Sequence, residues 1–281
     1  MKCLTEAAYR QYREDGFTFP VRAMPAEEAA WYRSEVERTT GATPDPAKAL
    51  QGTVSFKVKP YLLFEWAAKL VRHPVILDAV EDLVGPDIMV FHTTMWWKKA
   101  GTLNRVPWHQ DGTYFGLDPF EHVTAWVALS HSNLGTGCVR ILPGTHKDGQ
   151  FPHRDVKDSA LMLSRGQTVA LDVDDSKAVP IVLSPGEISL HHTMAIHSSD
   201  PNTGTDDRIG IGISYIPTRV RHVGPVRLTA SLVRGEDRYG HFDLEPRPVA
   251  DLHPDAVAAH KLSDARFWEA SRSIPEMAGI H

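Results

Sequence analysis

His109, Asp111 and His197, with Arg208 eleven residues beyond the last of them, are the side chains of this chain whose types and spacing could do chemistry. Two imidazoles and one carboxylate can hold one face of a non-haem iron(II) and leave the other face open to small molecules. A nearby arginine adds a permanent cation whose planar fork fits a carboxylate. The set points to an iron(II) oxygenase with 2-oxoglutarate as cosubstrate and dioxygen as oxidant.

The His-x-Asp spacing alone carries little weight, because it occurs five times: at His109/Asp111, His146/Asp148, His153/Asp155, His241/Asp243 and His253/Asp255. With 15 histidines in 281 residues, roughly one match is expected by chance. His146 and His153 fall in a stretch dense in turn residues that reads as an exposed loop. His241 has a similar setting, and His253 precedes Pro254 at an expected helix start. Only His109 is flanked by aromatics (Trp108, Tyr114, Phe115) and followed by a strong strand, Val123 to Leu129. In an extended segment residues two apart point the same way, so His109 and Asp111 could reach one ion.

The elements that must position these groups follow from pattern. Thr5 to Glu14 reads as a capped helix stopped by Gly16, Phe17 to Val21 as a strand, and Pro25 to Arg38 as a helix with acids in its first turn. Gly41 to Gly52 reads as loop and Val54 to Val58 as strand. Trp66 to Val84 is helical, with an interruption near Pro74. From residue 88 the chain turns to short β segments: Ile88 to Trp97, Val123 to Leu129, Cys138 to Leu142, Thr168 to Val173, Ile181 to Leu183, Glu187 to His191 and Ile209 to Ile216. Pro254 to Arg272 closes the chain as a helix. The expected architecture is mainly β with flanking helices, a jelly roll, in one domain spanning 1–281. Its parts are a helical portion (about 1–87), a jelly-roll core (about 88–220) and a C-terminal extension (221–281).

Composition narrows the function class. A net charge of −5 leaves no nucleic-acid footprint. No apolar run approaches the roughly 18 residues of a membrane span, and the first residues lack a signal-peptide core. Cys3 and Cys138 form no disulfide framework or metal spacing, and Cys138 reads as a small core residue. A cytoplasmic protein acting on a small-molecule substrate is expected, with no nucleic-acid or membrane partner. Nothing in the sequence speaks to its oligomeric state.

A series of segments then carries a family resemblance. His109-Gln-Asp-Gly-Thr-Tyr114, Ala125-Trp-Val-Ala-Leu129, Gly137-Cys-Val-Arg-Ile-Leu-Pro-Gly-Thr-His-Lys147, Pro185-Gly-Glu-Ile-Ser-Leu-His-His192, His197-Ser-Ser-Asp-Pro-Asn202 and Arg208 appear in that order. Together they resemble the phytanoyl-CoA dioxygenase family, from Leu4 to about Pro246. The resemblance implies a double-stranded β-helix (cupin-like) that binds iron(II) and 2-oxoglutarate. It implies His109, Asp111 and His197 as iron ligands. Arg208 and Ser199 would hold the distal 2-oxoglutarate carboxylate, and Trp126 would wall the pocket. Lys57 and Met95 match two further cosubstrate contacts, with Lys59 an alternative to Lys57 on the same strand face. Halogenating relatives have a small residue in place of the carboxylate ligand, so Asp111 implies oxygen transfer. Hydroxylation with release of succinate and carbon dioxide is the expected outcome; desaturation, cyclisation or epimerisation would use the same ligands.

Several neighbours admit two readings. Of His191 and His192, at most one faces inward on a strand; Trp96 and Trp97 should split likewise. Lys98, Lys99 and Arg105 read as a solvated loop before an anion site, and Arg219 and Arg221 share that ambiguity. Arg208 borders the apolar run Ile209-Gly-Ile-Gly-Ile213, so it must find an acid or bear a desolvation penalty. A zinc hydrolase or isomerase on the same triad would have no use for Arg208 and Ser199, and a binding module would have no need of a filled triad.

Overall fold

The computed structural model describes residues 1–40, 56–156, 158, 160–163 and 167–273. The expected loop from Gly41 to Gly52 and the first two residues of the expected strand Val54 to Val58 lie outside them. The rest of that strand reduces to one bridge, Val58 with Thr94.

Two antiparallel sheets face each other. The larger runs β1 (Phe17–Arg22), β10 (Glu187–His192), β5 (Val123–Ala128), β12 (Arg208–Pro217), β2 (Ile88–Lys98), β14 (Thr229–Arg234) and β15 (Asp243–Leu244). Only the last pair is parallel. The smaller runs β3 (Val106–His109), β11 (His197–Ser199), β6 (Val139–Ile141) and β9 (Val179–Pro180). Two-stranded ribbons, β4 (Leu117–Asp118) with β13 (Arg221–His222) and β7 (His153–Asp155) with β8 (Gln167–Val169), complete the β structure among the described residues. This is the jelly-roll architecture expected.

Alternation along β12 explains how the sheet serves two layers. Ile209, Ile211 and Ile213 project outward into a core shared with Tyr32, Val36, Trp66 and Val80 of the N-terminal helices. Arg208, Gly210 and Gly212 face the smaller sheet, in register with Lys98, Trp96 and Thr94 of β2. A Cβ at Gly210 would lie 2.3 Å from the Trp126 ring, so the glycine is what lets that indole lie flat on the strand.

The helices match the capping signals. Thr5 accepts from the Ala8 amide and Gly16, at φ 84°, ends the helix Glu6–Asp15. Pro74 splits the helical segment into Glu65–Leu70 and Pro74–Val84, with proline at the start of the second. Residues beyond 220 are built into the core: β14 pairs with β2, and the helix Pro254–Ser273 packs beside it through Ala270. The strand expected at Ile181 to Leu183 reduces to a bridge between Leu183 and Ser132.

Candidate metal and cosubstrate site

His109 ends β3 and His197 begins β11, directly opposite it in register. The ring Nδ1 of each donates to the carbonyl two residues back, Pro107 at 2.9 Å and Ala195 at 3.0 Å. Both Nε2 atoms are thereby left as acceptors aimed inward, the arrangement a metal-binding imidazole requires. Asp111 Oδ1 lies 3.6 Å from His109 Nε2 and 3.8 Å from His197 Nε2. One ligand atom from each of the three falls within 4.8 Å of the others.

Asp111 does not reach the site by strand alternation as expected. It stands in helical conformation at the start of the turn Gly112–Phe115, and the Gly112 amide is tied to Thr193 O at 3.0 Å. The chain bends at Gln110, which is fully buried and holds the carbonyls of Gly149 and Met194, so its side chain points away from the site. Burial pushes the Asp111 carboxyl up, but His197, His109 and His191 together hold it well below the usual range. Burial, aided by His109, pushes His197 well below its usual value.

Thr124 and His122, missed in the sequence, support Asp111 together with His191. Thr124 Oγ1 donates to Asp111 Oδ2 at 2.8 Å; it accepts from His122 Nε2 at 3.1 Å, whose Nδ1 meets Thr193 Oγ1 at 2.9 Å. His191 Nε2 lies 3.6 Å from the same Oδ2. His191 is buried with neither ring nitrogen hydrogen-bonded among the described residues, whereas His192 accepts from the Met194 amide at 3.1 Å. His191 is thus the inward member of the pair. Thr124 was open to the same alternation argument, two residues before Trp126 on one strand.

A small cavity runs from the triad to Arg208, lined also by Ser199, Trp126 and Val139. Arg208 is 1% exposed, donates to Gly137 O at 2.7 Å and lies 5.2 Å from the Trp126 ring centre. Its Nε has no partner, and no carboxylate pairs with it among the described residues. Burial lowers its pKa to about 10. The acid its position demands is therefore not supplied by the described protein.

Lys98 overturns the solvated-loop reading. It is fully buried opposite Arg208 and donates to Ser199 O at 3.0 Å, to Ser199 Oγ and to Asp200 O. Burial, then the Arg208 charge, lowers its pKa to about 6. Lys99 is exposed, and Arg105 pairs with Asp158 at 2.6 Å. Arg219 and Arg221 also pair on the surface, with Glu121 and Asp118.

A wider cavity of about 270 Å³ opens on the other side of His109 and Asp111. Trp96, shared with the smaller cavity, turns inward, while Trp97 bonds to Asp207 at 2.7 Å. Lys57 lines this wider cavity and not the Arg208 side; it donates to Met162 O at 2.9 Å and lies 5.0 Å from the Trp96 ring centre. The cosubstrate contact expected of Met95 is not met, because alternation on β2 sends it into the outer core. Lys59 is corrected too: in left-handed conformation at φ 46°, it turns from Lys57 into a buried pair with Glu245 at 2.7 Å. Of the other His-x-Asp histidines, His153 is half-buried behind the site, where its Nε2 accepts from the Gln110 amide at 3.2 Å. His253 stands, as expected, at the helix start.

Residues 12–210 match the family profile described as phytanoyl-CoA dioxygenase (PhyH). The rat protein "Phytanoyl-CoA dioxygenase, peroxisomal" is 29% identical over 73% of this chain, and the match spans 66% of its own length, just under two thirds. The solved structure of ThoJ, described as a non-haem monooxygenase, superposes with a TM-score of 0.82 at 32% identity, covering 94% of this chain and 97% of that one. CytC3 with Fe(II) and α-ketoglutarate shares the fold, at a TM-score of 0.62 and 24% identity over 86% of this chain and 93% of its own.

Proposed function

Because the chain belongs to the phytanoyl-CoA dioxygenase family, whose cofactors here are iron(II), 2-oxoglutarate and dioxygen, we propose that it hydroxylates a C–H bond of a small molecule. The carrying observation is the placement of the His-Asp-His triad between two cavities, one ending at a buried arginine without an acid, the other broad and aromatic. The two nitrogen donors and one oxygen donor fit iron(II), and the unpaired guanidinium fits the distal carboxylate of 2-oxoglutarate.

His109, Asp111 and His197 would hold iron(II), which would supply dioxygen activation coupled to conversion of 2-oxoglutarate into succinate and carbon dioxide. The chain itself binds, orients and shields. Arg208 and Ser199 hold the distal carboxylate; Lys98 occupies one lone pair of Ser199 Oγ, so the hydroxyl proton is free to point into the cavity. Trp126 covers Arg208 and keeps water from it. Lys57, on the wider side of the same triad, is assigned to the cosubstrate's metal-chelating end. Thr124 fixes one oxygen of Asp111, which leaves the other for the metal.

Hydroxylation is favoured over halogenation because Asp111 fills the carboxylate position, and the resemblance to a non-haem monooxygenase supports oxygen insertion. The test is to incubate the iron-loaded enzyme with a panel of metabolites and measure succinate above the uncoupled background, with mass analysis of product. Substrate-dependent succinate and a product heavier by one oxygen are expected; a product that has lost two hydrogens or has only been rearranged would replace hydroxylation with another outcome.

A further inference from the structure

The family match ends at residue 210, yet one wall of the wider cavity comes from the helix Pro254–Ser273. Asp264, Phe267, Trp268 and Ser271 stand at the i, i+3, i+4, i+7 spacing of one helical stripe, and all four line the cavity. Three polar contacts pin the helix behind them: His260 to Val58 O at 2.8 Å, Ser263 to Glu245 at 3.1 Å and Arg266 to Asp243 at 2.6 Å. The rings are also fixed. Phe267 stacks on His92 at 5.3 Å, meets Phe115 at 6.2 Å and stands edge-on to Trp268 at 6.0 Å. Asp264 makes no hydrogen bond or ion pair among the described residues, although it acts electrostatically on His260 one turn back, whereas Asp243 and Glu245 are both paired.

We propose that this stripe reads the substrate, and that it selects a ring-bearing or alkyl molecule carrying a positively charged nitrogen, a protonated or alkylated amine. The inference rests on the proposed function in taking the wider cavity as the substrate side and in assigning Lys57 to the cosubstrate. A carboxylate closed over by a neutral ligand gains at most one uncharged hydrogen bond for the water it loses, and an anionic ligand adds repulsion. A cation satisfies Asp264 and is also attracted by the faces of Trp268 and Phe267. Lys57, the cation of this cavity, is held apart over Trp96 against Met162 O and, on the reading above, faces the cosubstrate.

Three probes of similar size separate charge from ring burial: benzyltrimethylammonium, benzyl alcohol and phenylacetate. Their binding to the intact protein is followed by tryptophan fluorescence and ligand-observed NMR, with and without iron(II) and 2-oxoglutarate under anaerobic conditions. The cation is expected to bind about tenfold more tightly than either other probe. Asp264→Asn should erase that preference, while Trp268→Ala should weaken the cation and the alcohol together. Equal binding of the three probes, tighter binding of phenylacetate, no binding at all, or a preference that survives Asp264→Asn overturns the proposal. The iron-free arm reads the cavity alone, so failure of the oxygenase reading shows separately, as loss of 2-oxoglutarate binding.

Discussion

The two cavities that share His109, Asp111 and Trp96 differ in what holds their walls. On the Arg208 side the side chains stand on paired strands, locked by register, with Lys98 and Arg208 both buried and bonded to backbone carbonyls. On the other side β2 supplies one wall through His92, Thr94 and Trp96, and the rest comes from a helical turn, a loop and the C-terminal helix, held by contacts between side chains and rings. A pocket for an invariant cosubstrate benefits from the stiffer arrangement, whereas a helix can exchange its inward stripe without disturbing the sheet. On the proposed function, the Arg208 side holds the cosubstrate's distal end and the helix-walled side, Lys57 apart, meets the substrate.

The largest effects should come where the halves meet. Asp111→Ala or His197→Ala is expected to abolish iron-dependent turnover and bound iron, checked by metal analysis, while the melting temperature shifts by only a few degrees. Retention of full activity in His197→Ala alongside its loss in His191→Ala would reassign the third ligand.

Next come the residues that hold the walls of the two cavities. Lys59→Met leaves Glu245 buried and unpaired, at roughly 3 kcal/mol of stability, whereas Lys57→Met should leave the melting temperature near wild type and weaken 2-oxoglutarate binding severalfold. Denaturant melts and cosubstrate titrations of the two variants separate these roles; equal losses of stability would erase the distinction. Gly210→Val forces the Trp126 ring aside and should destabilise by about 2 kcal/mol. It should also impair 2-oxoglutarate binding, since the indole no longer covers Arg208. The smallest effect is expected from Lys98→Met, which removes the donor that orients Ser199. About a fivefold rise in the apparent Kd for 2-oxoglutarate is anticipated, with substrate-side probe binding unmoved.

The same division governs what was legible in the sequence. That His109, Asp111, His197 and Arg208 converge was readable because metal and carboxylate chemistry restricts the residue type at each position. The jelly roll was readable from short alternating strands. Lys98 was misread because local polarity next to Lys99 suggests solvent, and only the pairing of β2 with β12 shows that it faces inward opposite Arg208. Met95 fell to the same cause, one residue of strand phase. Lys59 was lost to a left-handed turn that no pattern announces. Thr124 could have been found by stepping two residues back from Trp126. The substrate wall could not, because Asp264, Phe267 and Trp268 reach the site only through tertiary packing of a helix more than 150 residues from Asp111 in sequence.

Arg208 tests the account most directly, because only a 2-oxoglutarate enzyme needs a buried, acid-free guanidinium at the end of a cavity that begins at the triad. Anaerobic titration of 2-oxoglutarate into the iron(II)-loaded protein, followed by its charge-transfer absorbance, should give an apparent Kd at least ~30-fold higher for Arg208→Ala, since losing such a contact costs about 2–5 kcal/mol. Iron binding should hardly change, and Arg208→Lys should recover only part of the affinity. An unaltered 2-oxoglutarate Kd in Arg208→Ala would contradict the account.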